Sequence, residues 1–208
     1  MKSKNKIWQL TRNSFRRRSG ALEVRDRILI VCEGEKTEPN YFKKFPIKRG
    51  RVELKIEGTG YNCVSLVEEA IRLKEEAMRE KRLYNQIWCV FDKDDFSDDQ
   101  FNKACILAEN NKIRAAYSNQ AFELWYILHF CYCDAALSRS QYIVKLTAYI
   151  GHKYEKNSED MYDKLKQLQN NAIKHAEKLS SSHRIINPAK NDPSTKVNSL
   201  VNALNNFM

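Results

Sequence analysis

The sequence predicts an α/β fold in which a mostly parallel sheet is flanked by helices, with a helical extension towards the C-terminal end. Two observations predict it: short apolar runs alternate with amphipathic segments, and acidic residues follow the ends of the runs. A length of 208 residues suits one principal core. We divide the chain into a basic arm (1–26), an α/β domain (27–135) and a helical extension (136–208) packed on the same core.

Four segments are predicted to be strands because they are short and rich in apolar and β-branched residues. The first and third are continuous apolar runs, as in parallel strands that are buried on both faces. The second alternates apolar and polar residues, which is typical of a half-buried strand. The predicted strands are Arg27–Cys32, Val52–Ile56, Ile87–Phe91 and Ile113–Tyr117.

The helices are predicted from apolar residues that recur at helical spacing. The last of them is placed by Asp192 as N-cap and Pro193 at the first helical position. The first predicted helix begins near Val64 and has Val64, Val67, Ile71 and Met78 on one face. The other predicted helices are one that contains Phe101–Ala108, one that begins near Phe122, and those over Ser138–Ile150, Met161–Leu179 and Asp192 to about Phe207.

The charge of the chain favours phosphate-rich partners. Its formal net charge is +10, and residues 1–27 carry nine basic against two acidic residues, a net charge of +7. Arg16, Arg17 and Arg18 are candidates for contact with a nucleic-acid backbone, and a solubilising arm is the equally weighted alternative. No apolar run resembles a secretion signal or a membrane span, so we expect a cytoplasmic protein without membrane contact.

The cysteines indicate a reducing compartment. Six are present, none in a CxxC pair, and Cys32 and Cys89 lie inside apolar runs where thiols act as small hydrophobic groups. Cys131 and Cys133 could suggest structural zinc, but they lack a second pair or a spaced histidine. Packing is therefore the favoured interpretation for both.

Acidic residues follow three of the predicted strands. In chain order they are Glu33, Glu35 and Glu38, then Asp92, Asp94 and Asp95, then Glu123, and of these the candidate metal ligands are Glu33, Glu38, Asp92, Asp94 and Glu123. Sites in open α/β sheets form at the carboxyl ends of the strands, and residues two apart on an extended chain point the same way. Carboxylates that converge repel one another unless a hard cation such as Mg²⁺ or Mn²⁺ neutralises them. The pattern predicts a metal site for phosphodiester cleavage or another phosphoryl transfer.

Each of these residues also has a purely structural interpretation. The aspartates could form a polar turn, and Glu123 could be a first-turn acid that the helix dipole favours. Lys36 and Lys93 could contact a phosphate or simply be solvated. The aromatic residues Phe122, Trp125, Tyr126 and Phe130 recur at helical spacing and are assigned to the core rather than to base stacking. His129 is assigned a structural role because it lacks a spaced histidine or cysteine partner.

Several ordered blocks of the sequence resemble a known family. A strand followed by Glu-Gly and a later strand followed by Asp-x-Asp look like the Toprim domain of topoisomerases, primases and related nucleases. The fuller resemblance is to RloB-like proteins and covers nearly the whole chain. It rests on ILIVCEGEKTEPNYF (28–42), VFDKDD (90–95), SNQAFELW (118–125), HF (129–130) and DPST (192–195).

The resemblance implies roles for individual residues. Glu33 would take the place of the Toprim glutamate, a metal ligand or general acid/base, and Asp92 and Asp94 the places of the metal-binding aspartates. Glu38 would match the second glutamate of the Glu-Gly-x-x-x-Glu block of related nucleases. Asn119 and Glu123 match the family's Ser-Asn-Pro-x-Phe-Glu segment, in which Asn119 would contact nucleic acid and Glu123 would complete a second metal site, although Gln120 stands where proline is usual.

The resemblance also implies a function. It predicts a Toprim-like, Rossmann-like domain that acts with Mg²⁺ or Mn²⁺ as a nuclease in anti-phage defence, on RNA, with tRNA as one candidate, or on DNA. An ABC-type ATPase of the RloA type is the implied partner, and oligomerisation is left open. The alternatives are a non-catalytic nucleic-acid-binding or assembly module and an enzyme acting on nucleotides or small phosphoesters.

Overall fold

A five-stranded sheet lies at the centre of the protein. The structure, a computed structural model, describes residues 26–47 and 52–208. The strands are β1 (Asp26–Cys32), β2 (Val52–Gly58), β3 (Gln86–Asp92), β4 (Arg114–Asn119) and β5 (Ser194–Thr195). Their order is β2-β1-β3-β4-β5, with the first four parallel and β5 antiparallel to β4. This confirms the predicted Rossmann-like α/β fold and all four predicted strands, within one or two residues at most ends.

Helices cover both faces of this sheet. They are α1 (Thr37–Lys43), α2 (Cys63–Arg79), α3 (Asp98–Asn110), α4 (Glu123–Phe130), α5 (Arg139–Ile150), α6 (Met161–Leu165), α7 (Gln169–Ser182) and α8 (Val197–Asn205). Helix α1, which is only seven residues long, is not predicted by the sequence pattern. None of the helices in the described part of the chain is long and apolar enough to cross a membrane.

The two faces of the sheet bury two separate cores, because successive strand residues point to opposite sides. Leu29 and Val31 of β1 pack with α2 and α3. Ile28 and Ile30 pack with α1, α4 and the helices that follow residue 136. The predicted helical extension therefore contributes to the same core as the sheet.

The segment after Asp192 is an extended strand rather than the start of a helix, so the prediction there was wrong. Ser194 and Thr195 pair with Asn119 and Ser118 at the free edge of β4, and α8 begins only at Val197. Asp-Pro is a local helix-start signal. If residues 194–195 were helical, however, the backbone groups on the free edge of β4 would have no partner there, and pairing with β5 satisfies them.

Two helical patterns also differ in detail from the prediction. In α2 the buried face runs from Cys63 through Leu66 and Leu73, and Met78 is 56% exposed. The stripe from Met161 is not one helix, because a 3-10 turn over 166–168 separates α6 from α7. The stripe residues Leu165, Ala172, Ala176 and Leu179 are nevertheless buried as expected.

His129 lies in the core, which confirms its structural assignment. The residue is fully buried on α4, its Nδ1 lies 2.9 Å from the Trp125 carbonyl oxygen, and its Nε2 is buried without a hydrogen-bond partner in the described part of the chain. Burial lowers the pKa of His129 to about 4. The folded protein therefore resists protonation at a site that the unfolded chain protonates near a pH of about 6.5.

We expect acid to destabilise the protein through His129. As pH falls below about 6.5 the unfolded state takes up a proton and the folded state does not, so stability is lost until the folded pKa is reached. Between about pH 7 and pH 5 the loss should be about 2 kcal/mol. Urea unfolding of wild type and His129→Phe at both pH values measures it. An equal pH dependence in the two proteins would contradict the assignment.

Candidate metal and nucleic-acid site

Glu33 and Asp92, two of the predicted site residues, meet where β1 and β3 end. Cys32, the last residue of β1, is paired with Val90 of β3, so Glu33 lies beside the last residues of β3 at the carboxyl edge. The Glu33 N–H donates to the Val90 carbonyl oxygen at 2.9 Å, which prolongs β1 by one residue. The Glu33 Oε2 accepts the Asp92 N–H at 3.0 Å. Backbone pairing therefore fixes Glu33 directly beside Asp92.

Gly34 allows Glu38 to enter the same place. Glu38 lies in the first turn of α1 and is 5% exposed. Its carboxylate packs so closely on Gly34 that a side chain at that position would overlap Oε2. The Glu-Gly-x-x-x-Glu spacing thus has a physical basis, since the missing side chain of Gly34 leaves room for the carboxylate of Glu38.

Glu123 reaches the site from the other side. It is the first residue of α4, directly after the turn that follows β4, and is 1% exposed. Its Oε1 accepts the hydroxyl of Tyr154 at 3.2 Å. Tyr154 lies between α5 and α6, in a stretch whose Lys156 carbonyl also accepts the Thr37 hydroxyl at 2.7 Å. This stretch therefore covers both Glu123 and the start of α1.

Asp94 is placed differently from the prediction. The strand ends at Asp92, and Asp94 has a left-handed backbone with φ of 41°. Its N–H donates to the Gln120 carbonyl oxygen at 3.1 Å. The alternation argument for Asp92 and Asp94 was therefore wrong in its geometry. The turn still brings both carboxylates to Arg139, whose Nη2 lies 3.4 Å from Asp92 Oδ2 and 2.5 Å from Asp94 Oδ1.

These five acids form what we call the acid cluster: Glu33, Glu38, Asp92, Asp94 and Glu123. Burial raises the pKa of Asp92 well above its usual value, and the charges of Glu38, Glu123 and Glu33 raise it further. Burial likewise raises the pKa of Glu33 to about 7, although the hydrogen bond from the Asp92 backbone lowers it. Burial and then Glu123 raise the pKa of Glu38. The surroundings of the cluster therefore compensate its negative charge only in part.

Two carboxylate oxygens of the cluster have no partner within the described residues. Asp92 Oδ1 and Glu38 Oε2 are both buried without a hydrogen bond. Oxygen ligands of this kind suit Mg²⁺ or Mn²⁺, so the chemistry of the donor set fits a hard divalent cation. The described residues hold no group of three or more histidine, cysteine or acidic side chains already arranged around a metal position. Arg139 instead supplies positive charge to the two aspartates.

Arg139 and Tyr154 are the site residues that sequence reasoning missed. Arg139 is the first residue of α5, 47 residues after Asp92, and Tyr154 lies 31 residues after Glu123. No spacing pattern links residues so far apart. Only the packing of the helical extension on the sheet brings them to the acids.

Of the residues predicted to contact nucleic acid, Lys93 and Asn119 make contacts within the protein and Lys36 is exposed. The Lys93 ammonium lies 3.3 Å from Asp98 and also donates to the Phe96 carbonyl. The Asn119 amide is buried and donates to the carbonyls of residues 188 and 189 at 3.1 and 2.9 Å. Lys36 is exposed just before α1. Arg16, Arg17 and Arg18 lie outside the described residues.

The cysteine pair makes ordinary packing contacts. Cys133 is buried, and Cys131 Sγ lies 3.1 Å from the Tyr149 hydroxyl. All six thiols are free. The aromatic residues Phe122, Trp125 and Tyr126 are buried in the core next to α1, which confirms their assignment to packing.

Comparison with known proteins gives one match. Comparisons with curated proteins and with solved structures returned no similar chain. A family model described as RloB-like protein matches residues 28–204, a span that contains the whole acid cluster, Arg139 and Tyr154. The match covers most of the chain, and the chain therefore belongs to the RloB-like protein family.

Proposed function

We propose that this protein is a Mg²⁺- or Mn²⁺-dependent nuclease that acts as an anti-phage defence effector. The observation that carries the proposal is the acid cluster, in which carboxylates from three strand ends and α1 lie close enough for their charges to raise the pKa values of Glu33, Glu38 and Asp92, and two of their buried oxygens have no partner among the described residues. Such a cluster is costly for a folded chain unless a cation compensates it. Its position at the carboxyl edge of a parallel sheet supports an active site.

The metal would be held by Glu33, Asp92 and Asp94, with Glu38 and Glu123 able to complete a second position. A divalent cation held there would supply polarisation of a phosphodiester and a lower pKa for an attacking water. Glu33 has one carboxylate oxygen held by the Asp92 N–H. Its other oxygen makes no hydrogen bond to the part of the chain that the structure describes, so it is placed to accept or return a proton.

The substrate we propose is a polymer, either RNA, with tRNA as a candidate, or DNA. A net charge of +10 supports a polyanionic partner but does not distinguish these polymers. Lys36, exposed just before α1, and the basic residues Arg16, Arg17 and Arg18 are the proposed backbone contacts. An ABC-type ATPase partner is proposed from the family resemblance alone.

The proposal is tested by incubating the purified protein with end-labelled RNA and DNA in Mn²⁺. We expect cleavage of at least one polymer, complete inhibition by EDTA, and competition by unlabelled polymer but not by mononucleotides. Competition by mononucleotides would instead indicate an enzyme acting on small phosphoesters. Mn²⁺ binding should also be visible by calorimetry, and a protein that binds no Mn²⁺ would contradict the proposal.

A second candidate is a non-catalytic nucleic-acid-binding or assembly module. It is favoured by Arg139, which neutralises Asp92 and Asp94 without a metal. Such a module would bind nucleic acid equally well in EDTA and in Mn²⁺. A metal-dependent nuclease would lose part of its binding in EDTA, because the cluster would then repel phosphate.

A further inference from the structure

Arg139 is the cation that the structure brings to the aspartates of the acid cluster. One nitrogen, Nη2, contacts both Asp94 and Asp92, at 2.5 and 3.4 Å. The side chain is 34% exposed, whereas the side chain of Asp92 is 9% exposed. The guanidinium therefore lies between the buried carboxylate and solvent, at the entrance to the cluster.

The start of α5 does not account for the position of this side chain. Ser138 and Gln141 form a complete capping box, so the first turn of the helix is stabilised without Arg139. A cation at a helix N-terminus is disfavoured by the helix dipole. The two aspartates are thus the interaction that holds the guanidinium where it is.

The guanidinium is also incompletely satisfied in this position. Its Nε is buried and has no hydrogen-bond acceptor within the described residues. Both contacts with the aspartates use the same terminal nitrogen, although an arginine offers about five N–H donors in a planar fork. A phosphate accepts two such donors in parallel, an arrangement that the present contacts do not provide.

A divalent cation and the guanidinium compete for the same carboxylates. The unpartnered Asp92 Oδ1 and the Asp92 Oδ2 that Arg139 contacts belong to one carboxylate, so a cation bound there would lie close to the guanidinium, and two positive groups so close together repel each other. Binding of the cation therefore weakens the contacts of the guanidinium with both aspartates and favours its movement away from them. Since the side chain is partly exposed, it can turn towards solvent without unfolding α5.

We propose that Arg139 is a displaceable counter-ion that becomes a positioning residue for the substrate. In the metal-free protein it neutralises Asp92 and Asp94, and once a divalent cation takes over that role it binds a phosphate of the nucleic acid. This inference rests on the metal site of the proposed function. Arg139 would then have two roles. It would stabilise the acid cluster in the metal-free protein, and it would couple metal binding to substrate binding.

The first test measures Mn²⁺ binding by calorimetry for wild type, Arg139→Gln and the control Arg79→Gln. Arg79 is exposed on α2 and contacts the Glu75 carbonyl oxygen instead of the acid cluster. Because the neutral amide of Arg139→Gln does not compete with a cation for the aspartates, we expect this variant to bind Mn²⁺ at least about fivefold more tightly than wild type. The control should bind as wild type does.

The second test measures binding of a short single-stranded oligonucleotide in Ca²⁺ by fluorescence anisotropy. We expect about tenfold weaker binding for Arg139→Gln than for wild type, no change for Arg79→Gln, and partial recovery for Arg139→Lys. A residue that only stabilised the fold would not strengthen metal binding while weakening oligonucleotide binding. Thermal unfolding of each variant verifies that the fold is retained.

The outcomes separate this inference from the proposed function. Equal or weaker Mn²⁺ binding by Arg139→Gln, with clear binding by wild type, would overturn the counter-ion role and leave the metal site standing. Unchanged oligonucleotide binding would overturn the positioning role. Absence of Mn²⁺ binding in every variant would overturn both this inference and the metal site on which it depends.

Discussion

Replacing Glu33 by glutamine should lower Mn²⁺-dependent cleavage by roughly a thousandfold while leaving the fold intact. The amide oxygen of the introduced glutamine can still accept the Asp92 N–H, so the hydrogen bond that joins the ends of β1 and β3 is retained. What is lost is a negatively charged oxygen that can bind a cation or accept a proton. Initial rates on the preferred polymer measure the effect, and thermal unfolding checks the fold.

Glu35→Gln is the matched control for this change. Glu35 is an exposed carboxylate two residues further along the same turn, and it is not part of the acid cluster. The control should cleave at close to the wild-type rate. Full activity in Glu33→Gln, or equal losses in both variants, would mean that Glu33 is not the reactive carboxylate and that the role implied by the Toprim resemblance is wrong.

Gly34→Ala should destabilise the protein by displacing the carboxylate of Glu38. The new methyl group would overlap the carboxylate of Glu38, which is 5% exposed and cannot simply move into solvent. Overpacking typically costs about 1 to 3 kcal/mol. We expect a loss of that size in urea unfolding, together with weaker Mn²⁺ binding because Glu38 is pushed out of place.

A double-mutant cycle identifies the cause of this loss. The nearest atoms to a side chain at Gly34 all belong to Glu38. In a Glu38→Ala background they are gone, so adding Gly34→Ala should cost less than about 1 kcal/mol. Equal costs in both backgrounds would show that Gly34 is needed for its own backbone, and that the packing explanation of the Glu-Gly-x-x-x-Glu motif is wrong.

The sheet could be predicted from the sequence because its strands are buried on both faces. Continuous apolar runs such as Ile28–Cys32 and Ile87–Phe91 have few other interpretations at that length. Once the strands were parallel, their carboxyl ends had to share one edge, and this placed Glu33 beside Asp92 without any knowledge of side-chain positions. Local composition and topology together were sufficient for this part of the site.

The features that the sequence did not predict depend mainly on contacts between distant parts of the chain. The two-residue strand β5 has no apolar run of its own and exists because it completes the edge of β4. Arg139 and Tyr154 reach the acids only after the helical extension has packed on the sheet. The turn at Asp94 has a left-handed backbone, which a rule for extended chains does not anticipate.

The dependence of the acids on Arg139 and Tyr154 limits how the protein can be dissected. A fragment ending at residue 135 would keep every acid of the cluster but lose the guanidinium, the tyrosine hydroxyl and much of the apolar cover of α4. The negative charges of the acid cluster would then repel one another without the compensating charge of Arg139. Work on the isolated N-terminal portion would thus describe a weakened protein, and the smallest unit worth purifying extends at least through α8.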